Sequence, residues 1–323
     1  MLEVQYDITI GATQFKSDGK SRLIALCCES SLEIPVHTCQ LTITLPKDAS
    51  FKEDNAVSIK LGYGNELKLV FTGKVKVIEW HIGWVCVEAQ SSFRALAKLR
   101  THAYFENATA ADIVKGLADE AKVTIANSEA GVQFAFYAVG NQQTAWQYIR
   151  QLAAQCGFDF YANTEDKLFF APPKSQGAPL KLEFGKDLLQ YRLQTPKPVT
   201  VGVEVFGESP ASFGQGSDAS SWLTKKEVKG SSGNGSPIIR YIIPSARTQE
   251  VANDMAKAFA QQLKPKKIGN LNLLGNAAIT LGSKVEISKM PVEVQNGVFK
   301  VSSVCHKLDK KIGFITQLNI EQA

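Results

Sequence analysis

The feature that most constrains this chain is a change of hydrophobic period. From residue 1 to about 100 the apolar residues alternate with polar ones in short runs: VQYDITI, then LTITLP at 41–46, AVSIKLGYG at 56–64, LKLVFTGKVKVIEW at 67–80 and GWVCVEAQS at 83–91. A period of two sends successive side chains to opposite faces, so each run reads as a strand with one wet face. Gly, Pro, Asn and Asp punctuate the runs at the spacing of a sandwich or barrel.

The period then lengthens. ATAADIVKGLADEAKV (108–123) places Ile113, Val114, Leu117, Ala118 and Ala121 on one helical face, and Thr109 with Asp112 resembles a capping box with Asp in place of Glu. A second helix opens at Thr144, with Gln147 three residues on, and runs through Tyr148, Ile149, Leu152 and Ala153 to Gly157, which suits a left-handed cap. GFDFYANTEDKLFFAPP (157–173) follows, with Phe158, Phe160, Leu168 and Phe170 flanking an Asn-Thr-Glu-Asp turn. This is a hairpin whose aromatic face is expected to pack under the two helices.

Alternation returns near 180 with LKLEFG, LLQYRLQ and TVGVEVFG. The stretch 209–237 is rich in Gly and Ser and poor in large apolar residues, which predicts a mobile excursion that contacts a neighbouring component. A helix at 247–263 carries Val251, Met255, Phe259 and Leu263 in an i, i+4 stripe, expected to dock against a barrel. The fold class read from this order is α+β, mainly β. A β domain spans 1–100, a small α+β domain 101–176 and a second β domain 177–323.

A chain of 323 residues exceeds what one core usually serves, and 44% hydrophobic with 21% charged residues is the balance of a folded globular protein. The net charge of +5 is spread along the chain, and its densest run, Lys264, Lys266 and Lys267, follows a helix whose negative end it suits. No sequence-specific nucleic-acid binding is expected. MLEVQYDITI lacks a basic leader, and no apolar run approaches the roughly 18 residues of a span, so neither a secretory signal nor membrane insertion is expected.

Catalytic signatures are absent from the pattern. The six cysteines (27, 28, 39, 86, 156 and 305) lack metal-ligand spacing and read as free thiols of a reducing cytoplasm. Of the four histidines (37, 81, 102 and 306), His306 cannot pair with its strand neighbour Cys305 as nucleophile and base, because adjacent side chains point to opposite faces. Asp119-Glu120 and Glu165-Asp166 fall on a helix end and a turn, and the glycines of GYG and GQG are not followed by Lys-Ser/Thr. The expectation is no catalytic, cofactor-binding or metal residues, and no cofactor.

The two β halves echo each other. VSIKLGYG, FTGKVKVIEWH (71–81) and GWVCVEA resemble KVEISKM (284–290), NGVFKVSSVCH (296–306) and GFITQLNI (313–320), matching His81 with His306 and Gly83-Trp84 with Gly313-Phe314. Two copies of one small barrel would let a trimer present six similar units.

The whole order, from about residue 3 to 320, resembles the hub family that includes phage late control protein D, the baseplate hub of contractile tails and the N-terminal part of VgrG spike proteins of type VI secretion. The helix, Thr-x-x-Gln cap and Gly-Phe-aromatic hairpin of the middle stretch carry the resemblance most specifically. It implies two tail-tube-like barrels per subunit and a pseudo-sixfold homotrimer joining a hexameric tail tube to a trimeric spike. Baseplate wedge proteins would be further partners, in a particle assembled in the bacterial cytoplasm. The sequence stops at 323 with no OB-fold and no β-helix, so the spike is expected to be a separate chain; no lysozyme-like insertion is visible. Trp80, Trp84 and Trp222 are candidate interface residues. Two other readings compete: a cell-wall hydrolase of the tail tip, which needs a legible carboxylate pair or Cys/His dyad, and a carbohydrate-binding β module, which rarely needs a central helix pair.

Overall fold

The computed structural model describes residues 3–17, 22–44, 51–173, 178–197, 199–207 and 228–322. Seven strands make the first β unit: β1 (Val4–Ile10), β2 (Thr13–Lys16), β3 (Leu23–Ser31), β4 (Thr38–Thr44), β5 (Ala56–Tyr63), β6 (Glu66–His81) and β7 (Trp84–Gln90). The alternation works as its period dictates: Ile8, Leu41, Ile59, Leu61 and Val87 are fully buried, while the residues between them reach solvent. The second unit uses β13 (Leu180–Glu183), β14 (Leu188–Gln194), β18 (Ile268–Leu274), β19 (Lys284–Ser288), β20 (Gly297–Asp309) and β21 (Gly313–Gln322), around Leu271, Val285, Phe299, Val301 and Ile320.

The two units are not separate barrels. β20 pairs antiparallel with β3, which merges all thirteen strands into one sheet of order β14-β18-β21-β20-β3-β4-β7-β6-β5-β1-β2, with β19 on β20 and β13 on β19. Among the described residues no pairing closes either unit on itself. The two closed barrels expected from the internal echo and the family resemblance are thus replaced, among the described residues, by a continuous mixed sheet, since a period of two specifies strand faces but not which edges meet.

Between the units lies a helical body. It contains α1 (Phe93–Lys98), β8 (Ala103–Thr109), α2 (Ala110–Glu120), β9 (Ile125–Ser128), β10 (Gln133–Val139), α3 (Ala145–Cys156), β11 (Asp159–Ala162) and β12 (Leu168–Ala171). Both expected caps form: the Thr109 hydroxyl accepts from the Asp112 amide while the Asp112 carboxylate accepts from Thr109, and Thr144 with Gln147 repeats the arrangement. Gly157 closes α3 at φ +70°, a conformation that a side chain would strain. The hairpin β11–β12 packs Phe160, Leu168 and Phe170 beneath α2 and α3, as its aromatic face requires. Helix α1 and the β8–β10 pair have no counterpart in the sequence reading, because their burial depends on distant partners rather than on a clean period.

A separate three-stranded sheet, β15 (Gly202–Phe206), β16 (Lys229–Ser232) and β17 (Ile238–Ile242), is covered by α4 (Gln249–Gln262). Ala252, Met255 and Ala256 of α4 bury against Val203 and Val205 in the same core as α2 and α3, and Gln262 donates to the Ala154 carbonyl at 2.7 Å. So α4 extends the helical body instead of docking against a barrel. The segment expected to be a 209–237 excursion contains β16 in its described part; residues 209–227, including Trp222, lie outside the described residues.

Two polar contacts tie the body to the sheet. The Asp166 carboxylate accepts from the Ser92 amide (2.8 and 2.9 Å) and hydroxyl (3.0 Å), fastening the β11–β12 turn to the end of the first unit. Lys300 on β20, only 8% exposed, reaches Asp159 on β11 at 2.6 Å and Glu321 on β21 at 3.4 Å. Breaking a buried ion pair from one side leaves an uncompensated charge. Lys300→Met should therefore cost about 3 kcal/mol in denaturant melts, whereas Lys300→Met with Asp159→Leu should recover most of that loss; equal cost for both variants would refute the pairing.

Candidate functional site

The described residues repeat one plan twice. The first unit runs β3-β4-β7-β6-β5-β1 across the sheet and the second runs β14-β18-β21-β20-β19-β13. Two of the ladder irregularities in each unit fall at matching places. The β3–β4 ladder slips between Leu23 and Ala25, and β14–β18 between Leu188 and Gln190. Likewise β6–β7 slips between Val75 and Val77, and β20–β21 between Val301 and Ser303. Bulges bend and twist a strand at a chosen point, so matched bulges mean matched curvature. Even the flanking loops agree: Asp54 N–Val75 O (3.0 Å) and Val75 N–Asn55 O (2.9 Å) recur as Gly282 N–Val301 O (2.9 Å) and Val301 N–Ser283 O (2.8 Å).

The copies also differ: among the described residues β2 has no counterpart beside β13, and the β5–β6 ladder slips between Ile59 and Lys60 where β19–β20 does not. β1 meets β5 antiparallel, but β13 meets β19 parallel, and the second unit inserts β15–β17 and α4 between its first two sheet positions. The bulge register also corrects the sequence echo by one residue: His306 corresponds to Trp80 rather than His81, and Phe314-Ile315 to Gly83-Trp84.

Where the units meet, a cavity of about 440 Å³ is lined from all three parts of the molecule, including His37, Thr72, Asn127, Tyr161, Asn163 and His306. Among the described residues no carboxylate, lysine or arginine lines it. His37 contacts the Ser31 carbonyl at 3.3 Å, and His306 Nδ1 lies 3.0 Å from the Thr316 hydroxyl. Burial pushes both imidazoles down to about 4, and burial of the Tyr161 phenol pushes it up. Both imidazoles are therefore neutral near pH 7, one beside a carbonyl and the other beside a hydroxyl.

Elsewhere the chemistry-bearing residues are dispersed. His81 stacks on Trp84, with ring centroids 3.6 Å apart, and His102 is exposed. Cys305 and His306 do face opposite sides of β20: Cys305 Sγ lies 3.3 Å from Cys27 Sγ, while His306 points into the core. A second thiol pair, Cys28 and Cys39 at 3.1 Å, is buried in the first unit, and all six cysteines are free. Spacing along the chain could not reveal these pairs, because strand pairing creates them. Asp119 and Glu120 end α2, and Asp166 carries a structural contact. Among the described residues no cluster of three or more His, Cys, Asp or Glu could hold a metal, and no helix is long and apolar enough to cross a membrane.

The pH response follows from the signs. The histidines fold neutral, with pKa below the unfolded value of 6.5, so their stabilisation is full above 6.5 and is lost as pH falls towards 4, roughly 3 kcal/mol for each. Asp166, pushed up to about 6 by burial, acts oppositely: its protonated form is favoured on folding, so it offsets part of that loss between pH 6 and 4. Stability measured by thermal melts should fall between pH 6.5 and 4, and His37→Gln with His306→Gln should flatten that limb; an unchanged acid limb in the double variant would contradict the assignment.

Three comparisons bear on this geometry. A family model described as the Alg8 N-terminal domain matches residues 38–196. No curated protein matches the chain. Solved structures do match it. The 43 kDa tail protein of prophage MuSo2 from Shewanella oneidensis aligns with a TM-score of 0.70 and 13% identity, covering 99% of this chain and 98% of that one. The E. coli c3393 protein is a type VI secretion system component with structural similarity to the T4 bacteriophage tail proteins gp27 and gp5. It aligns at 0.61 and 10% identity, over 97% and 76%. The Francisella PdpA-VgrG complex aligns at 0.57 and 11% identity, over 100% of this chain and 53% of that one. Over nearly its whole length, the protein has the fold of these phage tail and VgrG proteins.

Proposed function

We propose that this chain is a structural baseplate hub of a contractile phage tail or a related injection system. Three copies form a pseudo-sixfold ring, in which the β units of residues 1–100 and 177–323 take the place of tube-like barrels and the 101–176 body braces them. One face of the ring meets a hexameric tail tube and the other a trimeric spike, with wedge proteins at its periphery. The observation that carries this reading is the duplicated strand order with its matched bulges: two equivalent units per chain are what a threefold assembly needs to meet a sixfold one. Whole-length likeness to tail proteins supports the same reading.

The role is mechanical rather than enzymatic. Support comes from the dispersal of the histidines and carboxylates, which a hydrolase would have to gather in a cleft.

Light scattering behind size-exclusion chromatography should give three times the 35.2 kDa chain mass for the chain alone, or three copies of it per particle when tube and spike partners are added. A monomer under every one of those conditions would overturn the hub reading. A cell-wall zymogram should stay opaque, and clearing by the purified chain would restore the hydrolase alternative.

A further inference from the structure

The joint between β3 and β20 carries a pair of thiols that the proposed mechanical role does not use. Cys27 sits opposite Lys307 and Cys305 opposite Glu29, so these four side chains share one face of the antiparallel pair and the two cysteines are diagonal neighbours on it. Their sulfurs lie 3.3 Å apart, although the residues are 278 positions apart along the chain. Gln40 on β4 is opposite Cys27 and Gln317 on β21 is opposite Cys305, so uncharged amides flank the pair on the outer ladders. Both cysteines are half-buried, and solvent reaches their face of the sheet.

The neighbouring pair provides the contrast. Cys28 and Cys39 lie directly opposite each other, with sulfurs 3.1 Å apart, but they point into the core and are 2% and 0% exposed. Burial pushes the Cys39 thiol well above its ordinary range. At the outer pair the balance is reversed. The Cys305 thiol donates to Cys27 and lowers it against the opposing effect of burial, Lys307 adds to the lowering, and Glu29 opposes it; the same hydrogen bond holds Cys305 protonated. Thiolates, not thiols, attack oxidants, so one sulfur is prepared as nucleophile and the other as its proton-bearing partner.

We propose that Cys27 and Cys305 form a hydroperoxide-reactive site that closes into a disulfide across the β3–β20 joint, while Cys28 and Cys39 remain thiols. The Cys27 thiolate attacks one oxygen of hydrogen peroxide and the O–O bond breaks. The departing hydroxide takes up the proton that Cys27 lost and leaves as water, and the Cys27 sulfur, oxidised by two electrons, becomes a sulfenic acid. The Cys305 sulfur then attacks the Cys27 sulfur, the S–O bond breaks, and the thiol proton of Cys305 leaves with the hydroxide as a second water. Two thiols and one peroxide thus give one disulfide and two waters. A disulfide spans about 2.05 Å, so the sulfurs close the remaining gap by side-chain movement within the existing ladder. The bridge ties the two β units together covalently, and a loop of nearly the whole chain restricts the unfolded state strongly. The timing alone rests on the hub reading: the pair stays reduced in the cytoplasm where the particle is built and closes once the particle meets an oxidising exterior.

Thiol counting and peptide mapping on the full-length chain test the site. After treatment with hydrogen peroxide and removal of the excess, the denatured protein should have lost two of its six alkylatable thiols, and digestion should yield one peptide pair linked through Cys27 and Cys305 within a single chain. The oxidised chain should melt about 5 °C or more above the reduced one, and reductant should reverse the gain. Cys27→Ser should slow thiol loss by about tenfold or more, whereas Cys305→Ser should accumulate a sulfenic acid at Cys27 that dimedone traps. The mapping uses the unaltered chain, so it decides even where a variant fails to fold. Six thiols remaining after peroxide, a Cys28–Cys39 bridge, bridges only between chains, or a bridged chain that melts no higher than the reduced one would overturn the latch. A trimer with unreactive thiols would overturn the latch and leave the hub reading intact, and a monomer that bridges would do the reverse.

Discussion

The antiparallel joint between β3 and β20 is the interaction on which the rest of the structure depends. It connects residues almost the full chain length apart and turns two partial sheets into one. Backbone amides and carbonyls at a buried sheet edge must find partners, and each unit supplies the other's. Side chains follow: Phe314 and Ala277 of the second unit bury in the core of the first, and Phe314 packs its ring on Tyr63. The helical body then fastens the joined sheet from the side, through Asp166 on Ser92 and Lys300 on Asp159.

That joint also explains the distribution of polar groups. His37 and His306 lie in a cavity that exists because three parts converge there, and each imidazole is held by a hydroxyl or carbonyl rather than by a charge. Buried polar groups with complete partners specify how parts fit together more than they add stability. A molecule whose proposed work is to transmit force between a tube and a spike has use for parts that meet in only one way.

Much of the local structure was legible. The capping boxes at Thr109 and Thr144 form as the spacing requires, Gly157 takes the left-handed cap, and the 157–173 hairpin turns its aromatics inward. Each of these depends on contacts within a few residues. The duplicate plan was legible in outline, through similar runs near the ends of both β halves, but its register was displaced by one residue. Bulges at Lys76 and Ser302 do not announce themselves in a valine- and serine-containing strand, so only pairing reveals them.

Composition and period by themselves determined that this chain is mainly β, that a helical body interrupts it, and that its strands carry one wet face each. Those properties follow from side-chain alternation and local capping, which are encoded residue by residue. Tertiary structure alone decided that the β halves share a sheet, that α4 belongs to the central body, and that Cys27 meets Cys305. The reason is physical: a strand's period fixes which face it buries, but its edges are chemically alike, and the choice of neighbour is made only when distant segments compete for the same backbone hydrogen bonds.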